Sequence, residues 1–187
     1  SYSVKYDLLN KVFLKDSPII AETIDQSIPN LLKHLPDWTF GNLSEWLNKE
    51  VELVQGIPVD NLKNTLITLK SMEYKLGVAT NDNEKCAFNQ LKNSEVLKFF
   101  DFIAGCDSGF GSKPETGMHK EFCIVTGLKP YQIVMVGDSL MDLKSGNDIG
   151  MYTVGVLTGP AIKSDLDQEA DIILNSIEEL PQHINKI

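Results

Sequence analysis

The segment Tyr131–Asp142, YQIVMVGDSLMD, constrains this chain more than any other. Ile133, Val134, Met135 and Val136 form a short unbroken apolar run, the pattern of a parallel strand covered on both faces. Gly137 breaks the run and Asp138 follows at its carboxyl end, where open α/β sheets place their ligands. Asp142 comes four residues later, on the first turn of the expected helix. That spacing aims both carboxylates at one crevice. Two acids at a strand mouth suit a hard, oxygen-ligated cation such as Mg²⁺, whose shell substrate phosphate helps to complete. Read in isolation, Asp138 serves equally as a helix N-cap with a dipole-favoured acid one turn on.

The flanking sequence supplies the alternation that such a strand requires. Strands are expected at 75–79, Phe102–Ala104, Ile133–Val136, Tyr152–Val156 and Ile172–Leu174. Helices are expected at Glu84–Leu91, from about Thr116 to Thr126, and near Asp142–Ile149. Strand–helix alternation at this spacing means an α/β Rossmann-like parallel sheet with helices on both faces. Upstream, residues 16–56 show helical signals only: Asp16-Ser17-Pro18 as a cap ahead of Ile19–Ile28, a break at Pro29, then Leu31–Leu35 and Leu43–Val54. Leu62–Met72 is a further amphipathic helix. Tyr2, Val4 and Tyr6 alternate with polar residues toward a strand ending near Asp7, and Val12-Phe13-Leu14 fits a second strand or a helix start. The expected division is therefore an α/β core from 1–15 and 57–187, with a small helical cap at 16–56.

Charge and cysteine content narrow the function classes. A net charge of -9 gives no basic surface for nucleic acid and disfavours anionic membranes. No apolar run approaches the roughly 20 residues that span a bilayer, and the first residues lack a signal-peptide core. Cys86, Cys106 and Cys123 are odd in number, widely spaced and set among apolar residues, as reduced thiols of a cytoplasmic protein would be.

Polar groups of different kinds stand at three expected strand mouths. Thr80-Asn81 offers a hydroxyl, an amide and backbone N–H groups entering a helix, suited to phosphate oxygens. Lys113 offers a point charge on a Lys-Pro step that ends a loop with three glycines, Gly105 to Ser112. Asp138 and Asp142 offer the cation site. Each has a plainer reading, Thr80 as an N-cap and Lys113 as a solvated surface lysine.

The order Thr, Lys-Pro, Gly-Asp-x-x-x-Asp resembles the haloacid dehalogenase-like hydrolase superfamily, in particular its phosphoglycolate-phosphatase-like members with a helical cap. The resemblance covers about residues 57–175, through LGVATND at 76–82, SKP at 112–114, VGDSLMD at 136–142 and VGVLTG at 154–159. It implies a Mg²⁺-dependent phosphatase acting on a small phosphorylated metabolite, as a monomer or homodimer. Thr80, with Asn81 beside it, then binds the transferring phosphoryl group, and Lys113 neutralises charge on nucleophile and phosphoryl oxygens. Asp138 binds Mg²⁺ directly, and Asp142 supports the metal site through water or the lysine. The family's first motif, a strand ending Asp-x-Asp-Gly-Thr, has no full counterpart. The nearest stretch is Tyr6-Asp7-Leu8-Leu9-Asn10-Lys11, which makes Asp7 the nucleophile and a metal ligand, with Leu9 in place of the acid–base and Lys11 in place of the threonine. The alternative function is a catalytically inactive relative that binds a phosphorylated ligand or a protein partner. A phosphoacceptor receiver domain also sets Asp, Thr and Lys on a parallel sheet, but it has no place for the glycine-rich lead-in to Lys-Pro or for GDxxxD.

Overall fold

The computed structural model describes residues 6–7, 12–13, 22–53 and 56–184, with the backbone alone for the first four of these and for Leu53. The helix expected to start at Asp16 lies outside the described residues until Glu22. From there, α1 (Ile24–Leu31) begins with Thr23 and Gln26 capping one another's backbone N–H groups. Contrary to expectation, Pro29 does not end this helix. Its ring removes one backbone hydrogen bond, to the Asp25 carbonyl, but Pro29 and Asp25 both face solvent, so water serves that group. A 3-10 turn at Leu32–His34 leads to α2 (Phe40–Leu53). Ile28 and Leu43 are the buried apolar side chains described in this helical unit, and α1 packs on α2.

Helix α3 (Leu62–Ser71) leads into the strand–helix alternation. It runs β3 (Gly77–Ala79), α4 (Glu84–Asn93), β4 (Phe102–Ala104), α5 (Gly117–Thr126), β5 (Val134–Gly137), α6 (Leu140–Asn147) and β6 (Tyr152–Val156). A short α7 (Lys163–Leu166), β7 (Ile172–Leu174) and α8 (Leu180–Ile184) follow; neither α7 nor α8 was expected from the sequence. All pairing here is parallel. Strand β3 pairs with β4 from Gly77 opposite Phe102, while β5, β6 and β7 form a second ladder in that order. The fold is thus the α/β Rossmann-like one. Val154, Val156, Leu174, Leu69 and Leu180 close its main core cluster, which brings α3 and α8 onto the β6–β7 side.

Two short strands stand apart. Tyr6–Asp7 (β1) and Val12–Phe13 (β2) pair antiparallel with each other, Asp7 opposite Val12. Among the described residues β1 joins neither parallel ladder. The expectation of a strand ending at Asp7 holds for the strand itself, but among the described residues it does not extend the parallel sheet. The Asp7 side chain lies outside the described residues, as do Leu9 and Lys11.

Candidate active site

The three strand mouths meet, and Lys113 is the reason. Its ammonium donates to the Ala79 carbonyl at the end of β3 (2.6 Å) and to Asp142 Oδ1 on α6 (2.5 Å). Only about a tenth of either side chain is exposed, 11% for Lys113 and 10% for Asp142. This is no solvated surface lysine. Its backbone is fixed as well: Lys113 N–H donates to Asn81 Oδ1 (2.7 Å) and its carbonyl accepts from Asn81 Nδ2 (2.9 Å). The Asn81 amide therefore ties the β3 mouth to the loop before the cis Lys113–Pro114 peptide.

Thr80 is not a helix cap either. Asn83 caps α4, accepting from the Cys86 N–H, while the Thr80 hydroxyl accepts from Asp82 N–H (3.1 Å) and keeps its own proton to donate. At β5, Ser139 rather than Asp138 is the N-cap. Ser139 Oγ donates to Asp142 Oδ2 (2.7 Å), and Asp142 Oδ2 also accepts from Ser139 N–H (3.2 Å). Both Asp142 oxygens are thus occupied, one by Lys113 and one by Ser139. Asp142 can orient the lysine but is poorly placed to ligate a cation directly. Asp138 is left at the mouth without a structural duty in the helix.

Close backbone approach shapes this mouth. A Cβ on Gly137 would lie 2.2 Å from the Asp142 Cβ, and one on Gly159 would lie 1.9 Å from Asp138 Oδ2. Only glycine lets the loop after β6 pass so near the Asp138 carboxylate. Burial pushes the Asp138 pKa up, and the nearby Asp142 charge pushes it further; the Lys113 charge offsets part of this. A carboxylate raised by desolvation and a like charge gains from a divalent cation beside it. Among the described residues no three His, Cys, Asp or Glu side chains converge as a complete metal cage. A carboxylate at this mouth beside the Lys113 cation fits Mg²⁺, which commonly takes one or two protein carboxylates plus substrate phosphate and water.

Two features escaped the sequence reading. His119 on α5 is buried beneath the site, with Nε2 3.3 Å from Ser145 Oγ and 3.2 Å from Met135 Sδ. Ser145 in turn donates to the Asp142 carbonyl (2.7 Å). Burial, helped by the Lys113 charge, lowers the His119 pKa to about 4, so the ring is neutral at physiological pH. A lone histidine on a helix gives no sequence signal for such a position. The second feature is a cleft between the helical unit and the mouth of β3, with a volume of about 300 Å³. Across it, Asn83 Nδ2 donates to Asn48 Oδ1 (2.8 Å) and Lys85 pairs with Glu52 (2.7 Å).

Comparison with known proteins agrees with this geometry. A family model for haloacid dehalogenase-like hydrolases matches residues 17–156, and the chain belongs to that family. It is 28% identical over 176 residues to a glyceraldehyde 3-phosphate phosphatase from Methanocaldococcus jannaschii, spanning 93% of this chain and 76% of that protein. It is 31% identical over 131 residues to a phosphoglycolate phosphatase from Neisseria meningitidis, spanning 68% of this chain and 56% of the relative. Against a glyceraldehyde 3-phosphate phosphatase from Pyrococcus furiosus the matched share of the relative is 62%. Among solved structures, one of a predicted phosphoglycolate phosphatase from Haemophilus somnus superposes with a TM-score of 0.72 at 24% identity, covering 86% of this chain and 75% of the other. Within the family the chain is phosphoglycolate-phosphatase-like in sequence and fold.

Proposed function

We propose that this chain is a Mg²⁺-dependent phosphatase that hydrolyses a small phosphomonoester. The observation that carries the reading is the Lys113 ammonium, held between the Ala79 carbonyl and Asp142 within reach of the Asp138 charge. A buried cation fixed at the mouth of a parallel sheet is an electrostatic anchor for an oxyanion. Thr80 donates its hydroxyl proton to one phosphoryl oxygen. Lys113 neutralises charge that grows on the phosphoryl oxygens during transfer, and Asp142 keeps the lysine aimed. Asp138 holds the metal ion, which when bound would supply charge neutralisation and a fixed orientation for the phosphate. Asp142 acts through Lys113 and takes no place in the metal shell.

The nucleophile in this reading is Asp7, as the family resemblance assigns, attacking phosphorus in line to give an aspartyl-phosphate that water hydrolyses. Leu9 then leaves the leaving alkoxide without an acid–base partner, a function typically worth about 10²–10⁴-fold in rate. Slow turnover follows, steepest in its loss for leaving groups of high pKa. The helical unit built from α1 and α2 acts as the cap. Among the described residues no helix is long and apolar enough to cross a membrane, and Cys86, Cys106 and Cys123 are free thiols, which fits a cytoplasmic enzyme.

The test is an initial-rate series over aryl and alkyl phosphates with Mg²⁺ on the wild-type chain, Asp7→Asn, Leu9→Asp and Lys113→Ala. Hydrolysis that is abolished by Asp7→Asn and Lys113→Ala, and raised by Leu9→Asp, is the expected outcome. Undiminished hydrolysis by Asp7→Asn removes Asp7 from the mechanism. Phosphate binding with no turnover in any variant would instead establish the binding-protein function.

A further inference from the structure

The cleft beside the site carries information about the other end of the substrate. It lies between the helical unit and the β3 mouth and begins at Asn81, whose amide brackets Lys113. A phosphoryl group at Thr80 and Lys113 therefore lies next to this space, through Asn81. Among the described residues, the cleft is lined by Asp25 and Glu52 from the cap and by Asp82 and Asp107 from the core. Its one lining cation is Lys85, and that charge is taken by Glu52 at 2.7 Å. The remaining polar lining comes largely from amides and hydroxyls such as Asn48, Asn83 and Thr23.

This composition discriminates by charge. Among the described residues, an anionic substituent entering the cleft meets several carboxylates and no unpaired lining cation. Cys106, which lines the cleft, already shows the effect: burial pushes its thiol pKa up, and the Asp107, Asp25 and Asp82 charges push it further. A hydroxylated, uncharged substituent meets the reverse situation. Its O–H groups donate to carboxylates that accept well, as Ser44 does to Asp25 at 2.9 Å. The cleft volume of about 300 Å³ suits a substituent of a few carbons.

We infer that the cap–core cleft selects phosphomonoesters whose alcohol portion is uncharged and hydroxylated, and rejects those that carry a carboxylate there. The inference rests on the phosphatase reading only in taking the phosphoryl group to lie at Thr80 and Lys113. It divides two chemistries that the relatives span, since phosphoglycolate carries a carboxylate and glyceraldehyde 3-phosphate does not.

Glycerol 3-phosphate and phosphoglycolate are the probes, matched in size and differing in the charge at the far end. Both kcat/KM and calorimetric Kd are measured on the full chain with Mg²⁺, for wild type and for Glu52→Gln, which also releases Lys85. A like charge at a partly desolvated site costs on the order of ten-fold or more, so glycerol 3-phosphate should lead by about ten-fold in either measurement. Glu52→Gln should narrow that ratio by about three-fold or more, through gains on phosphoglycolate. Equal or tighter binding of phosphoglycolate by wild type overturns the inference whether or not either ester is hydrolysed, as does failure to bind either. A ratio unchanged in Glu52→Gln overturns the assignment of selectivity to this cleft. Preferential binding of glycerol 3-phosphate without turnover sustains the inference and defeats the phosphatase reading alone.

Discussion

Severing the Lys113–Asp142 pair should destabilise the fold far more than its single contact suggests. The two side chains are 11% and 10% exposed and meet at 2.5 Å. Removing one partner from a buried pair typically costs about 3–5 kcal/mol, because the other charge is stranded. The residual exposure of both groups lowers that toward about 3 kcal/mol here. Lys113→Met additionally strips the donor from the Ala79 carbonyl (2.6 Å), at about 1–3 kcal/mol if that oxygen finds no water. Asp142→Leu additionally empties the acceptor side of the Ser139 capping box, worth about 1 kcal/mol. Lys113→Met should therefore lose about 3–6 kcal/mol and Asp142→Leu about 4 kcal/mol, whereas the double variant strands no charge. Its loss should fall short of the sum of the singles by at least about 2 kcal/mol. Urea unfolding followed by Trp38 and Trp46 fluorescence gives all four stabilities. Additive losses, or single losses below about 1 kcal/mol, would refute the buried anchor and with it the electrostatic basis of the site.

Two further outcomes follow from the site's surroundings. His119 stays neutral down to about pH 4 in the fold but protonates near 6.5 when unfolded, so its contribution is complete above pH 6.5 and is lost as pH falls toward 4. The loss reaches about 3 kcal/mol, and His119→Met should flatten stability across that window; an unchanged pH profile refutes the assignment. Gly159→Ala puts a methyl group 1.9 Å from Asp138 Oδ2, so the carboxylate or the loop must move. Mg²⁺ affinity by calorimetry should drop at least several-fold with the fold intact by circular dichroism, and wild-type affinity in this variant would remove Asp138 from the cation site.

The parts of this molecule that were legible in the sequence share one property: their signal is local. Val134–Gly137 reads as a buried parallel strand because an unbroken apolar run has few other uses, and Tyr152–Val156 reads likewise. Thr80 and Asp138 stood out because each sits where a strand stops, and Lys113 because it ends the glycine-rich loop that follows one. Their plainer readings were equally local, and only tertiary contacts dispose of them: Asn83 and Ser139 take the two caps, and Asp142 takes the lysine. Pro29 misled for the same reason. Proline signals a break wherever its lost hydrogen bond matters, and solvent exposure, invisible in sequence, decides that it does not here. His119 and the acidic cleft were illegible because they are made by packing. Ser145 and Met135 reach His119 from α6 and β5, and Glu52 approaches Lys85 only once α2 lies against α4.

The division of labour between the two aspartates is the point at which spacing and geometry part company. The i, i+4 interval of Asp138 and Asp142 aims both acids at one crevice, yet a helix start makes them unequal. Ser139 between them claims the N-cap, and capping draws Asp142 Oδ2 back onto the backbone while Oδ1 faces Lys113. Asp138, one residue before the cap, stands at the mouth and takes the desolvation and repulsion that raise its pKa. The same four-residue segment thus makes one acid that neutralises a lysine and one that gains from a cation. Exchanging Asp142 for a residue unable to cap would disturb both, because the loop that aims Asp138 is held by that cap.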